Sequence, residues 1–531
     1  MAARIWTNKA PRAKRSAHGR LGFRDASLWT VLGTYLPGAG LIRAGLRPAG
    51  IAALAIFGIV VIGGIVLGIV SPPTLFRLSV NTLFLQIMVF AVPLATLAWA
   101  SLIVTTHLRL RPRQLTRYER VVGSGLVAVL ALTIAAPMSV AARYSFDQSR
   151  LLESIFRDGN SLFSGTAPNL DKRNPWKNKP RVNILLLGGD AGADRWGTRT
   201  DTVILASVDT RTGDTVLVSL PRNTARMPFP VDSPLHEYYP EGFTNGWGES
   251  LGFMLTEMYV NVPANVPPDI LGRTDDLGAD VVKLSVGEAT GLKVDYYALV
   301  ELEGFHKLID ALGGISVNIN TWVPIGGDTS AGIKPTAALR PGANQHLNGT
   351  EALWYARGRY GSDDFERMDR QRCVIDAVIK QANPTNVLTR YEAIARQGKD
   401  IVRTDIPQEL LPAFLDLALR VKEGESTSIV LRNGEDGFVS ANPDFDRIRA
   451  RVAAAINPPK AETPAPVTAP ATQTEPGPDE PGEPAPPAPP ADETEAAPDP
   501  APLPPPEDLS DSCAYKPELA EAQPPVPPWE Q

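Results

Sequence analysis

Three long, uncharged, apolar stretches near the start of the chain constrain its fold more than any other feature. Gly50–Val70 runs for 21 residues, and Thr82–Thr105 and Val121–Ala141 are comparable. About 20 apolar residues in a helix match the hydrocarbon thickness of a bilayer. Three such stretches within about 90 residues are too many for the core helices of one soluble domain, so the spans 50–70, 82–105 and 121–141 are expected to be transmembrane helices. Residues 1–28 carry Arg4, Lys9, Arg12, Lys14, Arg15, Arg20 and Arg24. The 71–81 connection has only Arg77, whereas 106–120 has Arg109, Arg111, Arg113, Arg117 and Arg120. Positive residues stay on the cytoplasmic side. The N-terminus and the 106–120 connection are therefore expected in the cytoplasm, and everything after residue 141 outside. No short apolar core with a cleavage site directly follows the basic start, so it does not read as a cleavable signal peptide. Residues 29–47, broken by Pro37, Arg43 and Arg47, read as an interfacial or re-entrant segment within a membrane region of 29–141.

Beyond the spans, residues 142–179 read as a polar extracytoplasmic connector and 180–456 as the globular region. Residues 457–531 are dominated by Pro, Ala and acidic residues and are expected to form a disordered, semi-extended acidic tail. The net charge of −6 carries no nucleic-acid signature. The five His are scattered, and His236-Glu237 lacks the second His of a metalloprotease helix. Cys373 and Cys513 are able to pair in an oxidising compartment and tie the tail to the globular region; the alternative is a buried, unpaired Cys.

In the globular region, the apolar run Val182–Leu187 reads as a buried strand, and Thr202–Val208 with Thr215–Leu220 as a β-hairpin. If the hairpin's second strand lies parallel to the first strand, one sheet edge collects Asp190, Arg199, Asp201 and Arg222. Arg199 and Asp201, two apart in an extended segment, point to one side. Two carboxylates and two guanidiniums there suit a divalent cation bridging phosphate oxygens, with Arg forks on the other oxygens. An ordinary solvated loop beside a hairpin remains the alternative. Residues 227–280 form a weakly patterned insertion with Phe229, Tyr238, Tyr239, Phe243, Trp247 and Phe253, suited to packing on itself or to sugar stacking. A helix end at Leu284–Thr290, a strand at Tyr296–Val300, a helix at Gly304–Leu312 and a strand at Ile315–Ile319 alternate as in an α/β sandwich.

A second dense stretch is Leu347–Arg359, where Thr350 is able to cap a short helix ended by Gly358. Asp363 or Asp364 then caps a helix over Phe365–Gln381, with Arg367, Arg370 and Gln371 on one face. With Arg357 and Arg359 nearby, this favours an anion site over a solvated basic face.

Taken together, the strand ending in GGD, then RTDT, SLPR, LNGTEALWYARGR and DFERMDRQ resemble the LytR–CpsA–Psr family of bacterial cell-wall enzymes. DYYALVELEGFHKLIDALGGI resembles its central stretch, and the similarity covers about residues 180–385. The resemblance implies an extracytoplasmic α/β/α domain at the bacterial plasma membrane. That domain would bind a polyprenyl-pyrophosphate-linked glycan and transfer the glycan phosphate to peptidoglycan. It implies Mg²⁺ at Asp190 and Asp201. It further implies a pyrophosphate site of Arg199, Arg222, Arg357, Arg359, Arg367, Arg370 and Gln371, and catalytic roles for Asp190, Asp201 and Arg222. Asn223 stands where the family usually has Asp. The lipid is expected in an apolar groove between the sheet and the helices around 284–312. A lipid-pyrophosphate hydrolase and a non-catalytic, lipid-binding regulatory protein are the competing functions.

Overall fold

The computed structural model describes residues 21–155, 164–168, 170–171, 174–190, 198–246, 250–329, 331–381, 402–435, 437–458 and 503–530. Trp247 and most of the Pro/Ala-rich tail lie outside the described residues, so the expectations placed on them are not met or opposed here.

The N-terminal part is helical. Helices α1 (Phe23–Tyr35) and α2 (Ala39–Arg43) precede α3 (Arg47–Val70), α4 (Pro72–Ser79), α5 (Thr82–Leu110) and α6 (Arg117–Ile155). Among these, α3, α5 and α6 are long and apolar enough to cross a membrane. Many of their apolar side chains, such as Ile69 at 76% and Phe90 at 78% exposure, are largely uncovered by protein, as lipid-facing residues would be. These three helices cover the stretches 50–70, 82–105 and 121–141, and the third runs on beyond its stretch. The connector begins as helix, because α6 continues past Ala141 to Ile155. Apolarity stops near Ala141, but helix propensity does not, and an Arg143–Asp147 pair at 3.5 Å supports the extension.

The remainder is a mixed α/β domain built on a seven-stranded sheet. Strands β1 (Arg181–Asp190), β2 (Arg199–Asp209) and β3 (Thr215–Leu220) are followed by α7 (Pro234–Tyr238), α8 (Leu255–Asn265) and α9 (Leu277–Thr290). Next come β4 (Tyr296–Glu301), α10 (Leu302–Leu312), β5 (Ile315–Ile319), β6 (Val323–Ile325), β7 (Ala337–Leu339) and β8 (Gly342–Leu347). The chain continues through α11 (Gly349–Arg357), α12 (Asp364–Gln381), β9 (Val402–Thr404), α13 (Leu411–Glu423), β10 (Ser426–Val430) and α14 (Phe445–Ile456). The strand order is β11-β10-β3-β2-β1-β4-β9, with β11 supplied by Glu507–Asp508. β2 runs antiparallel to both neighbours, so β3 lies parallel to β1, and β4 and β10 share that direction. The strand at 315–319 does not join this sheet; β5 pairs with β8 in a separate two-stranded sheet.

Alternation along the strands gives the sheet two buried faces. Leu185, Leu187, Val203, Leu205, Val216, Val218 and Leu299 pack against α8, α9 and α14. Ile204 and Leu217 point the other way, with Ile375 of α12 and Leu509 beside them, while Val182, Val208 and Tyr296 meet Leu417 of α13. The aromatic insertion belongs to the first face. Phe229, Tyr239, Phe243 and Phe253 form a chain of ring contacts 5.1–5.7 Å apart. Phe229 and Phe243 are buried in the core, so the insertion packs on itself and these two rings are closed to a sugar.

The tail differs from its composition-based expectation at its far end. Residues 503–530 do not continue as a spacer: Glu507–Asp508 pairs with β10, followed by α15 (Leu509–Ser512) and α16 (Pro517–Glu521). Cys513 is disulfide-bonded to Cys373 on α12, across 140 residues of sequence. The globular part also touches the helical part. Arg77 of α4, in the connection between the first two long helices, pairs with Asp416 of α13 at 2.6 Å.

Candidate active site

The parallel strands β1, β3 and β4 end at one edge of the sheet, the usual place for a ligand in an α/β sheet. Asp190 is the last residue of β1, and Arg199 opens β2 beside it. Arg222 follows β3 after Pro221, and its backbone carbonyl accepts from Thr256 N at the start of α8 at 2.9 Å. The pairing of β1 with β2 shifts between Gly188 and Gly189, which face Thr202 and Thr200 and leave Asp201 without a partner in register. This is a β-bulge, a device that re-aims a side chain. Strict alternation would set Thr202 and Asp201 on opposite faces; with the bulge, both line the same cavity. The double glycine suits that close pairing, since a Cβ on Gly188 would sit 2.8 Å from Thr202 Cβ and one on Gly189 2.7 Å from Thr198 Cγ2.

The other half of the site comes from α11 and α12. The cap of α11 is Asn348 rather than Thr350: its side chain accepts from Glu351 N, and the Glu351 carboxylate accepts from Asn348 N. Gly358 ends the helix in an extended conformation, which brings Arg357 and Arg359 to the same cavity. Asp363 caps α12, accepting from Glu366 N at 2.7 Å.

These elements gather five arginines and four carboxylates. Arg357 pairs with Asp190 at 3.1 Å, Arg199 with Glu257 at 3.1 Å, and Arg222 closely with Asp201. Asp364 is shared by Arg367 at 3.0 Å, Arg222 at 3.6 Å and Arg359 at 3.7 Å. Burial disfavours the Asp201 carboxylate, but Arg222, with Arg367 and Arg359 beyond it, outweighs burial and holds the carboxyl below its ordinary range. Arg222 is shifted up by its two aspartates despite burial. Arg367 is pushed down to about 10 by burial and by the neighbouring Arg222 and Arg359 charges. Five guanidiniums against four carboxylates leave this end of the cavity net positive, which suits an incoming anion.

Asp190, Asp201, Arg199, Arg222, Arg357, Arg359, Arg367 and Gln371 all line one cavity of 440 Å³. Arg370 does not. It is buried beneath α11, donating from Nε to the Tyr355 carbonyl at 2.8 Å and from Nη2 to the Gly358 carbonyl. Its geometry holds the arginine-bearing turn rather than a ligand. Asn223 donates to Ser440 at 3.3 Å, away from the cavity lining. Two participants carry no obvious sequence mark. Glu257 comes from the insertion, and Asp364 reads as a helix cap until three arginines converge on it.

The cavity has a second, apolar end. Ala298 and Val300 of β4, Phe305 and Leu308 of α10, Leu353 of α11, and Val374, Ile375, Val378 and Ile379 of α12 line it. The expected groove thus involves α10 but not α9, which covers the opposite face of the sheet. Among the described residues, no three His, Cys, Asp or Glu gather to hold a metal alone. Asp190 and Asp201 on neighbouring strands fit a hard cation of the kind that takes one or two carboxylates and completes its shell with phosphate oxygens and water.

A charged clamp opening into an apolar trough, assembled from these motifs in this order, agrees with the sequence comparison. The chain belongs to the LytR_cpsA_psr family. The family's profile matches residues 158–436. The Enterococcus faecalis protein named polyisoprenyl-teichoic acid–peptidoglycan teichoic acid transferase TagU is 28% identical over 295 residues, 53% of this chain and 77% of that protein. Regulatory protein MsrR of Staphylococcus aureus is 25% identical over 275 residues, 51% of this chain and 70% of that protein. Among solved structures, B. subtilis TagV shares 23% identity with a TM-score of 0.36, covering 52% of this chain and 96% of that one. The C-terminal residues 503–530 lie beyond the family match.

Proposed function

We propose that this family member is a membrane-anchored phosphotransferase of cell wall assembly, moving a glycopolymer from a polyprenyl-pyrophosphate carrier onto peptidoglycan. The observation that carries this reading is the two-ended cavity, with five arginines at one end and an apolar trough at the other. A lipid pyrophosphate has the same polarity along its length. The name of the E. faecalis relative supports the same class of reaction.

In the reaction, an acceptor hydroxyl oxygen attacks the phosphorus that bears the glycan. A new P–O bond forms, the P–O bond to the carrier phosphate breaks, and polyprenyl phosphate leaves with the electron pair. Such chemistry asks the protein mainly for positioning and charge neutralisation. Arg199, Arg222, Arg357, Arg359 and Arg367 fork onto pyrophosphate oxygens, for which guanidinium is better shaped than ammonium. Asp201, held as an anion by Arg222, is a weak base and positions that arginine. Of the other carboxylates lining the cavity, Asp190 and Glu257, Asp190 is assigned the hydroxyl proton in this reading. Mg²⁺ held by Asp190 and Asp201 would add charge neutralisation at the phosphates.

The site belongs outside the cell in this reading, at the plasma membrane, with a cytoplasmic N-terminus and three spans. The Arg77–Asp416 contact supports it, because it sets the globular domain beside the connection that carries least positive charge.

The test uses full-length protein in lipid with Mg²⁺, a labelled polyprenyl-pyrophosphate oligosaccharide and peptidoglycan fragments, alongside Arg222→Ala. Label on peptidoglycan, lost in the variant, is the expected result. Release of phosphosugar without peptidoglycan would make the protein a hydrolase. Tight binding with no turnover would make it a regulatory lipid-binding protein and end the enzyme reading.

A further inference from the structure

Residues 503–530 form a strap that starts at the sheet and ends beside the arginine clamp. At its start, Arg372 of α12, fully buried, donates to Glu507 at 3.0 Å and to Ser428 of β10. The disulfide to Cys373 follows. Asn318 Nδ2 then donates to the Cys513 carbonyl at 3.0 Å, Asn320 Nδ2 to the Ala514 carbonyl at 3.1 Å, and Trp322 Nε1 to the Pro524 carbonyl at 2.9 Å. The strap delivers Trp529 to Tyr360, with ring centroids 6.0 Å apart and planes at 80°. Tyr360 directly follows Arg359 of the clamp. Both rings are partly exposed, whereas the Trp529 indole N–H is itself buried and meets no acceptor among the described residues.

The position of this pair relative to the clamp identifies what it meets. The apolar lining on α12 is Val374, Ile375, Val378 and Ile379, toward the C-terminal end of the helix. Tyr360 lies between Arg359 of the clamp and the start of α12, so along the chain the rings adjoin the charged end rather than the trough, just outside the cavity lining. A pyrophosphate held by the arginines, with its lipid in the trough, presents its other substituent toward the rings. Aromatic faces offer apolar surface, and the Tyr360 O–H offers a polar edge, which together match the two-sided character of a sugar ring.

We propose that Tyr360 and Trp529 form a saccharide subsite, so that the C-terminal strap helps this enzyme select the sugar next to the pyrophosphate; this rests on the function proposed above. The test measures binding of two lipids to the full-length protein: a short polyprenyl pyrophosphate, and the same lipid carrying one N-acetylhexosamine. Wild type is expected to prefer the sugar-bearing lipid by about tenfold. Trp529→Ala is expected to remove that preference and Trp529→Phe to keep most of it, both with the disulfide intact and the melting temperature unchanged. Equal affinities in wild type, or Trp529→Ala weakening both lipids alike, would overturn the subsite while leaving the proposed function standing. Failure of wild type to bind either lipid would end both.

Discussion

The arginine clamp and the C-terminal strap meet on one helix, α12, yet they are held by different means. The clamp is built mainly from residues at the ends of β1, β2, β3 and α11 and the start of α12, most of them carried by short motifs next to the element that ends or begins there. The strap is placed by contacts across long sequence separations: one disulfide, a two-residue strand pairing, and side chains reaching its backbone carbonyls. The first kind of site announces itself as motif. The second is a property of the fold, and its effect on the molecule is one of stability and shape rather than charge.

The largest effect expected from breaking the clamp is on turnover. Arg222 touches Asp201 and Asp364 and lies in the cavity. Arg222→Ala is expected to lower the transfer rate by about 10²–10³, the loss typical of one preorganised donor at a developing charge. Steady-state rates at saturating lipid check this; a tenfold loss or less would make Arg222 peripheral.

The strap answers to a different measurement. Cys513→Ser opens a link spanning 140 residues and is expected to cost about 2–4 kcal/mol of stability in denaturant unfolding. Arg222→Ala should leave the disulfide-dependent part of that unfolding unchanged. If Cys513→Ser instead abolished transfer with no change in stability, the distinction between the two regions would fail.

A smaller expected effect separates two readings of one motif. Asn348→Ala removes the capping box of α11 and is expected to cost about 1 kcal/mol, whereas Thr350→Ala should stay within about 0.5 kcal/mol of zero. Thermal melts of the two variants side by side decide it.

What sequence revealed and what it hid follow from the same contrast. The first three strands, the Asp190–Arg199–Asp201–Arg222 edge and the Arg357–Arg359 pair were legible, because short apolar runs and adjacent charges are local signals. The bulge at Gly188–Gly189 was not, since it depends on register with a neighbouring strand. The i, i+3, i+4 spacing correctly put Arg367, Arg370 and Gln371 on one side of a helix, but spacing names a face and not its neighbour. The Tyr355 and Gly358 carbonyls take Arg370. The Asn348-x-x-Glu351 box was present in the sequence and outranks Thr350 as a cap. Of the strap, the Cys373–Cys513 pairing was legible as one of two alternatives; its strand and helices were hidden by the composition of the residues before them, although Leu509 and Trp529 depart from that composition.

The finest probe of the clamp is the ionisation of Asp201. Burial alone would raise its pKa, and Arg222 is the first of the groups that reverse the sign. Because its folded pKa lies below the unfolded value of about 3.9, the pair's stabilisation is fully present above that value. It is lost only as pH falls through the lower folded pKa. Between about pH 5 and 8, Asp201 should therefore contribute nothing to the pH dependence of either stability or transfer, and its carboxyl carbon resonance should titrate below the ordinary Asp range. Arg222→Gln takes away the principal opposing charge and leaves the burial, so the same resonance should titrate at higher pH than in wild type. A midpoint unchanged by Arg222→Gln would mean that Arg367 and Arg359, not Arg222, hold Asp201 ionised. The clamp would then be a field shared among its arginines rather than a pair with neighbours.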